Sequence, residues 1–324
     1  MLALMCKAFG PPESLVLEEI DAPVAGPGEI IVDVAFAGLN FLDTLIIENK
    51  YQVKPPLPFS PGAEFSGHVA AIGAGVTGFR TGDRVAGFTG HGCARAQVAC
   101  PASQAFVLPD GLGLEQAAGL CVTYGTTLHA LRQRGRLRPG ETLAVLGASG
   151  GVGLAAVEIG AVLGARVIAC ASSSDKVAFA MRAGAHEGID YSQGDLKAAL
   201  KRAAGPGGVD VIYDPVGGSL SEAALRAIAW EGRHLVIGFA SGEIPKIPLN
   251  LALLKGCDII GVFWGEFVRR SPEVHQANML EIAGWVRDGR LSAHVHAVLP
   301  LAEAAQALGI LKRREALGKV LLAV

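Results

Sequence analysis

The stretch Leu143–Gly160, LAVLGASGGVGLAAVEIG, passes from an apolar run through a glycine-rich turn into a second apolar run. Leu143 to Leu146 has no polar alternation, the pattern of a strand covered on both faces. Gly147, Gly150, Gly151 and Gly153 follow at once. Small residues there let the backbone come close to a pyrophosphate, and the helix that begins beyond them offers unbonded N–H groups and the positive end of its dipole. The spacing Ala148-x-Gly150-x-x-Gly153 fits the dinucleotide fingerprint, with alanine in place of its first glycine.

Downstream, the same rhythm continues. Strand-like ARVIACA (165–171), EGID (187–190), VDVIYD (209–214), RHLVIGF (233–239) and DIIGVFW (258–264) alternate with helical runs at 175–183, near 195–204 and at 219–230. Apolar strands separated by helices predict a parallel sheet covered on both faces. Upstream of Val122 the runs are short and separated by Gly and Pro turns: EIIVDVAFAG (29–38), GHVAAIGAG (67–75), DRVAGF (83–88) and AQVACP (96–101). They predict an irregular, barrel-like β domain. A helix at 272–288 and strands at 293–299 and 318–323 return to that character. The expected fold is therefore α/β: a β-barrel domain over 1–122, completed by 266–324, and an inserted Rossmann doubly wound domain over 123–265.

Composition narrows the function classes. The 324 residues suffice for two domains of ~100–200 residues. Mean hydropathy of +0.40 and 18% charged residues argue for large cores and against disorder. A net charge of −2 gives no footprint for nucleic acid or an anionic membrane. The most membrane-like run, Gly151 to Ala171, is interrupted by Glu158 and Arg166, and MLALMCKAFG at the start lacks the layout of a signal peptide. Six scattered cysteines (Cys6, Cys93, Cys100, Cys121, Cys170, Cys257) with no Cys-x-x-Cys pair read as reduced core thiols of a cytoplasmic protein.

The end of the second parallel strand bears on the nucleotide. An NAD site usually carries Asp or Glu there for the ribose 2′-hydroxyl. Here Ala171 is followed by Ser172, Ser173, Ser174, Asp175 and Lys176. Hydroxyls and a lysine suit a 2′-phosphate, so NADPH is expected, with Asp175 capping the next helix. Lys176 is also what a solvated helix carries.

GLNFLDTLI (38–46), PLPFSPGAEFSGHVAAIGAGVTGFRTGDRV (57–85), YGTTLHAL (124–131), LRPGETLAVLGASGGVG (137–153) and GKVLL (318–322) together resemble the zinc-independent quinone oxidoreductase, zeta-crystallin-like, family of the medium-chain dehydrogenase/reductase superfamily. The resemblance implies a GroES-like first domain. It implies that Asn40 and Asp43 line the nicotinamide-side cleft, that Tyr51 reaches the substrate, and that Thr126 meets the nicotinamide ribose. Gly150, Gly151, Val152 and Gly153 would hold the pyrophosphate; Ser172, Ser173, Lys176, Tyr191 and Arg314 would surround the 2′-phosphate. Gly238, Phe239, Phe263 and Trp264 would lie at strand C-terminal ends, where such sheets bind ligands. Leu45 stands where the family often has a second tyrosine, which implies a more apolar pocket.

The implied activity is hydride transfer from NADPH to a quinone or a related α,β-unsaturated carbonyl. The alternatives are an enoyl-thioester or alkenal reductase of the same fold and a non-catalytic, NADPH-binding crystallin-like protein. A small-molecule substrate and a homodimer are expected, with neither nucleic acid nor membrane as partner. No metal is expected either. In zinc dehydrogenases the family match puts cysteine where this chain has Asn40 and histidine where it has Ala63, and Glu64 and His68, four apart in an extended segment, lie ~13 Å from each other. His91-x-Cys93 reads as a solvated loop, and His294 and His296 have no third ligand nearby.

Overall fold

A computed structural model describes all of the chain, Met1–Val324, as two compact units: Met1–Gly125 with Gly265–Val324, and Thr126–Trp264. The change at Gly125 falls inside a helical run, Cys121–Arg134, so no turn in the sequence marks it.

In the first unit, β1 (Leu2–Met5) and β2 (Val16–Glu19) form a two-stranded ribbon. The main sheet contains β3 (Glu29–Leu39), β4 (Glu64–Ile72), β5 (Arg84–Phe88), β6 (Gln97–Pro101) and β7 (Ala105–Val107). The second unit supplies β8 (Thr142–Leu146), β9 (Arg166–Ala171), β10 (Glu187–Asp190), β11 (Val209–Asp214), β12 (Ile228–Val236) and β13 (Asp258–Gly261). The chain then returns to the first unit as β14 (Val295–Pro300) and β15 (Lys319–Ala323).

The first sheet runs β14-β15-β3-β4-β5-β7, with β6 paired to the other part of β3. Placing β15 beside β3 is what carries a residue near position 320 next to residue 39. Val32, Ala37, Leu39, Phe65, Val85, Val98, Val320 and Leu322 fill the core. The long β3 bends through two register shifts against β4, so one strand serves both halves of the barrel.

The second unit is a six-stranded parallel sheet in the order β10-β9-β8-β11-β12-β13, the doubly wound arrangement. All five residues of β8 are buried, as the lack of alternation in Thr142–Leu146 requires. Two sequence expectations are corrected. The helix expected over 219–230 ends at Leu225, because Ile228 and Ala229 are buried in β12 and Ile228 pairs with Val209. The strand expected over 258–264 stops at Gly261, and Trp264 opens a helix, Trp264–Arg270. As an outermost strand β13 is exposed rather than buried, despite its apolar composition.

Candidate functional site

In the second unit, β8 ends at Leu146 and the chain turns through Gly147, whose φ of +61° suits glycine. The helix Gly151–Val162 begins immediately after, with Gly150 as its N-cap and no side chain capping it. The first-turn N–H groups of Gly151, Val152 and Gly153 therefore have neither an intrahelical acceptor nor a capping side chain. A Cβ on Gly153 would stand 2.1 Å from the Gly147 carbonyl oxygen, so helix and turn are packed as closely as backbone allows. Such a turn can receive an anionic group on backbone N–H groups alone.

Around it, β9 ends at Ala171. Ser173, not Asp175, caps the helix Ser174–Arg182 by accepting from the Lys176 N–H. The Lys176 ammonium reaches Ser172 Oγ at 3.4 Å. Asp190, in register with Ala171, spends its carboxylate on Ser192 and Ser174. Tyr191 opens the short turn that follows β10. At the end of β11, the buried Asp214 carboxylate accepts from the N–H groups of Val216 and Gly217, from Ser221 Oγ and from His234 Nε2. Burial opposes its ionisation, but these donors outweigh it and hold its carboxyl below the usual range. Asp214 thereby shapes the turn that Gly238 closes, donating its N–H to Asp214 O, with Phe239 just beyond. Thr126 is buried, and its neighbour Thr127 shares a 2.8 Å hydrogen bond with the Tyr213 hydroxyl. Phe263 is 58% exposed, whereas Trp264 is buried.

The first unit holds a different assembly. Glu64 opens β4 and is 0% exposed; Lys319 opens β15 and is 3% exposed. Lys319 Nζ lies 2.7 Å from Glu64 Oε1, 2.7 Å from Asn40 Oδ1 and 2.9 Å from Leu39 O. Glu64 Oε1 also accepts from Asn40 Nδ2 at 2.9 Å, and Glu64 Oε2 accepts from the Val122 N–H at 2.9 Å. Glycine makes room for both long side chains. A Cβ on Gly38 would meet Glu64 Cγ at 2.6 Å, and one on Gly119 would meet Lys319 Cγ at 2.8 Å.

Asn40 leads into the helix Phe41–Ile47, and the N3 residue of that helix, Asp43, accepts from the Asn40 backbone N–H at 2.7 Å. The other Asp43 oxygen accepts from the Gly62 N–H at 3.0 Å. Burial pushes the Asp43 carboxyl up to about 7, against the pull of these two N–H donors and of Lys319. Tyr51 is partly buried against the core, and its hydroxyl is pushed up by burial and then by Asp43. Arg314 follows the helix Ala304–Lys312 with φ +60°.

The comparisons bear on both halves. The alcohol dehydrogenase GroES-like domain model matches residues 26–127, and the zinc-binding dehydrogenase model matches 151–281. The Rattus norvegicus quinone oxidoreductase-like protein 2 is 40% identical over 99% of this chain and 92% of its own length. The Pseudomonas aeruginosa quinone oxidoreductase is 35% identical over 97% of each. The chain belongs to the zinc-independent quinone oxidoreductase family of the medium-chain dehydrogenases/reductases. The Escherichia coli quinone oxidoreductase, solved in complex with NADPH, superposes with a TM-score of 0.94 at 28% identity, covering 100% of both chains.

For a quinone oxidoreductase family member, the cluster around Asn40 is informative. The oxygen of the Asn40 amide and one of its N–H groups serve Lys319 and Glu64. Glu64 is wholly buried, bonded to the Val122 backbone and ion-paired with Lys319. It stays apart from His68, which is exposed further along β4. No three His, Cys, Asp or Glu side chains converge as a metal ion requires. His91 packs edge-on against Phe59, and Cys93 pairs with Thr89. Sequence reasoning missed Lys319 altogether. Its signal was a lone lysine beginning the apolar run Lys319–Ala323.

Proposed function

We propose that this protein is an NADPH-dependent reductase of quinones or related α,β-unsaturated carbonyls that works without a metal. The observation that carries this reading is the Asn40–Glu64–Lys319 cluster. In zinc-using relatives, the positions of Asn40 and Ala63 are expected to hold ligands; here a lysine ammonium already stands among the polar groups at Asn40, and an amide and an alanine are poor zinc ligands. The turn Gly147–Gly153 fits a dinucleotide pyrophosphate, because its first-turn N–H groups have no side-chain competitor and Gly150, Gly151 and Gly153 carry no Cβ. Ser172 and Lys176 favour a 2′-phosphate, with Tyr191 and Arg314 assigned to the same phosphate by family resemblance.

When bound, NADPH supplies a hydride to the electron-poor carbon of the acceptor. The protein's own task is modest polarisation of the acceptor carbonyl, which the Asn40 carboxamide and the Tyr51 hydroxyl can supply by donating hydrogen bonds. Burial pushes the Tyr51 hydroxyl up, so it stays protonated and acts as a hydrogen-bond donor to that carbonyl. The six buried free thiols fit a reducing, cytoplasmic setting.

The test is NADPH and NADH oxidation against 1,4-quinones, enones, alkenals and enoyl-thioesters, with and without chelator. Quinone or enone turnover that prefers NADPH and survives chelation is expected. Loss of activity with chelator, preference for NADH, or NADPH binding without turnover of any acceptor each overturns it.

We also propose a homodimer built on the β13 edge. Ile259 and Phe263 are exposed there, and Trp230, Leu253 and Leu254 lie uncovered on neighbouring segments of the same unit. An open strand edge bearing apolar side chains is a ready pairing surface. Light scattering at micromolar concentration is expected to give twice the chain mass, and Ile259→Arg the single mass; a monomeric wild type defeats the proposal.

A further inference from the structure

Around Asn40, the chemistry of each neighbour dictates the orientation of the next. An ammonium can only donate hydrogen bonds and an ionised carboxylate can only accept them. With Lys319 Nζ on Asn40 Oδ1 and Glu64 Oε1 on Asn40 Nδ2, the carboxamide has one permitted orientation. Flipped, it would set its NH₂ against an ammonium and its carbonyl against a carboxylate, losing two charge-assisted hydrogen bonds. Nδ2 carries two hydrogens. One goes to Glu64, and the other has only Gly38 O at 3.5 Å, the outer limit of a hydrogen bond.

We propose that Lys319 is a positioning residue which, with Glu64, locks the Asn40 carboxamide so that its second Nδ2 hydrogen is presented to the carbonyl oxygen of the substrate. The assignment rests on the reading that this protein reduces a conjugated carbonyl. The ammonium does more than hold the amide. Drawing electron density toward Oδ1, it makes the N–H a stronger donor to an oxygen that gains negative charge as hydride arrives. Backbone supports the arrangement: Leu39 O takes a further Lys319 hydrogen, and the Val122 N–H holds the other Glu64 oxygen.

A simple truncation of Lys319 leaves Glu64 buried without its counter-charge and can unfold the unit for that reason alone. The decisive variant is the charge-balanced double, Lys319→Met with Glu64→Gln, beside each single. Positioning predicts that the double regains the urea midpoint lost by Lys319→Met but keeps kcat at least about tenfold below wild type, with KM changed much less, since a donor to developing charge is worth about 10²–10³ in kcat. A double variant that regains both midpoint and kcat overturns the proposal.

A second measurement needs neither variant nor turnover. In wild-type protein labelled with [¹⁵N]asparagine, the Asn40 carboxamide proton held by the Glu64 carboxylate is expected to lie well downfield of the ordinary asparagine carboxamide range. On addition of a non-reducible aromatic ketone in the presence of NADP⁺, the other resonance is expected to move. Asn40 carboxamide protons at ordinary asparagine shifts, or a ketone that shifts neither proton, overturn it. If no quinone or enone is reduced by wild-type enzyme, the functional reading fails on its own, and these spectra still decide whether Lys319 orients Asn40.

Discussion

The glycine turn of the second unit and the polar cluster of the first solve the same problem, holding polar groups ready in fixed positions, by opposite means. The turn does so within one short segment, using backbone N–H groups and the absence of side chains. The cluster gathers side chains from across the chain: Lys319 is 279 residues from Asn40 and 255 from Glu64. A local device tolerates much change elsewhere but almost none within itself. A distributed device depends on the sheet order that brings its parts together, here β15 beside β3 beside β4.

The largest expected effect falls on the distributed device. Lys319→Met leaves a buried carboxylate unpaired and is expected to cost about 3–5 kcal/mol of stability by urea unfolding. A loss under 1 kcal/mol would mean that the ion pair contributes little to stability, and the contrast would collapse. Gly153→Ala probes the local device. Its Cβ overlaps the Gly147 carbonyl, so a loss of about 1–3 kcal/mol is expected, together with loss of NADPH binding by fluorescence titration. Unchanged affinity would show that the cradle is looser than its packing implies.

The next effect separates the two by pH. Asp43 is raised from 3.8 to about 7, whereas the turn Gly147–Gly153 has no titratable side chain. A raised carboxyl pKa means that the folded state favours the protonated form. Its contribution is fully present below pH ~4 and is lost as pH rises toward about 7. The urea midpoint of Asp43→Asn, relative to wild type, is therefore expected to climb between pH 5 and pH 8. A pH-independent difference would contradict the burial of that carboxyl. The smallest effect is Ser173→Ala, which removes the cap of the helix Ser174–Arg182 and is expected to cost about 1 kcal/mol in thermal unfolding.

The same contrast explains what could be read from sequence. The alternation of apolar strands and helices from Thr142 to Gly261 is written locally, and the strands EGID and VDVIYD fall on β10 and β11 as expected. Ends were less legible. Glu231 adopts φ +58° inside β12, and no helix-stopping signal precedes Ile228, so the helix before it was drawn too long. Asn40 and Asp43 stood out through family resemblance, but their bonds did not. Nothing near Glu64 in the sequence reveals that Lys319 is its partner, because that pairing is a property of strand order. A lysine beginning an otherwise buried strand was the one local hint.

The sheet order also has a consequence in time. During synthesis Asn40 and Glu64 leave the ribosome long before Lys319, with the whole second unit translated in between. At ~5–20 residues per second, the 255 residues from Glu64 to Lys319 take roughly 13 to 50 s. For that interval β3 lacks its neighbour β15, and Glu64 lacks its counter-ion. The second unit can fold while the first remains open along one strand. The first sheet gains its β15–β3 pairing, and Glu64 its counter-ion, only after β15 has been translated.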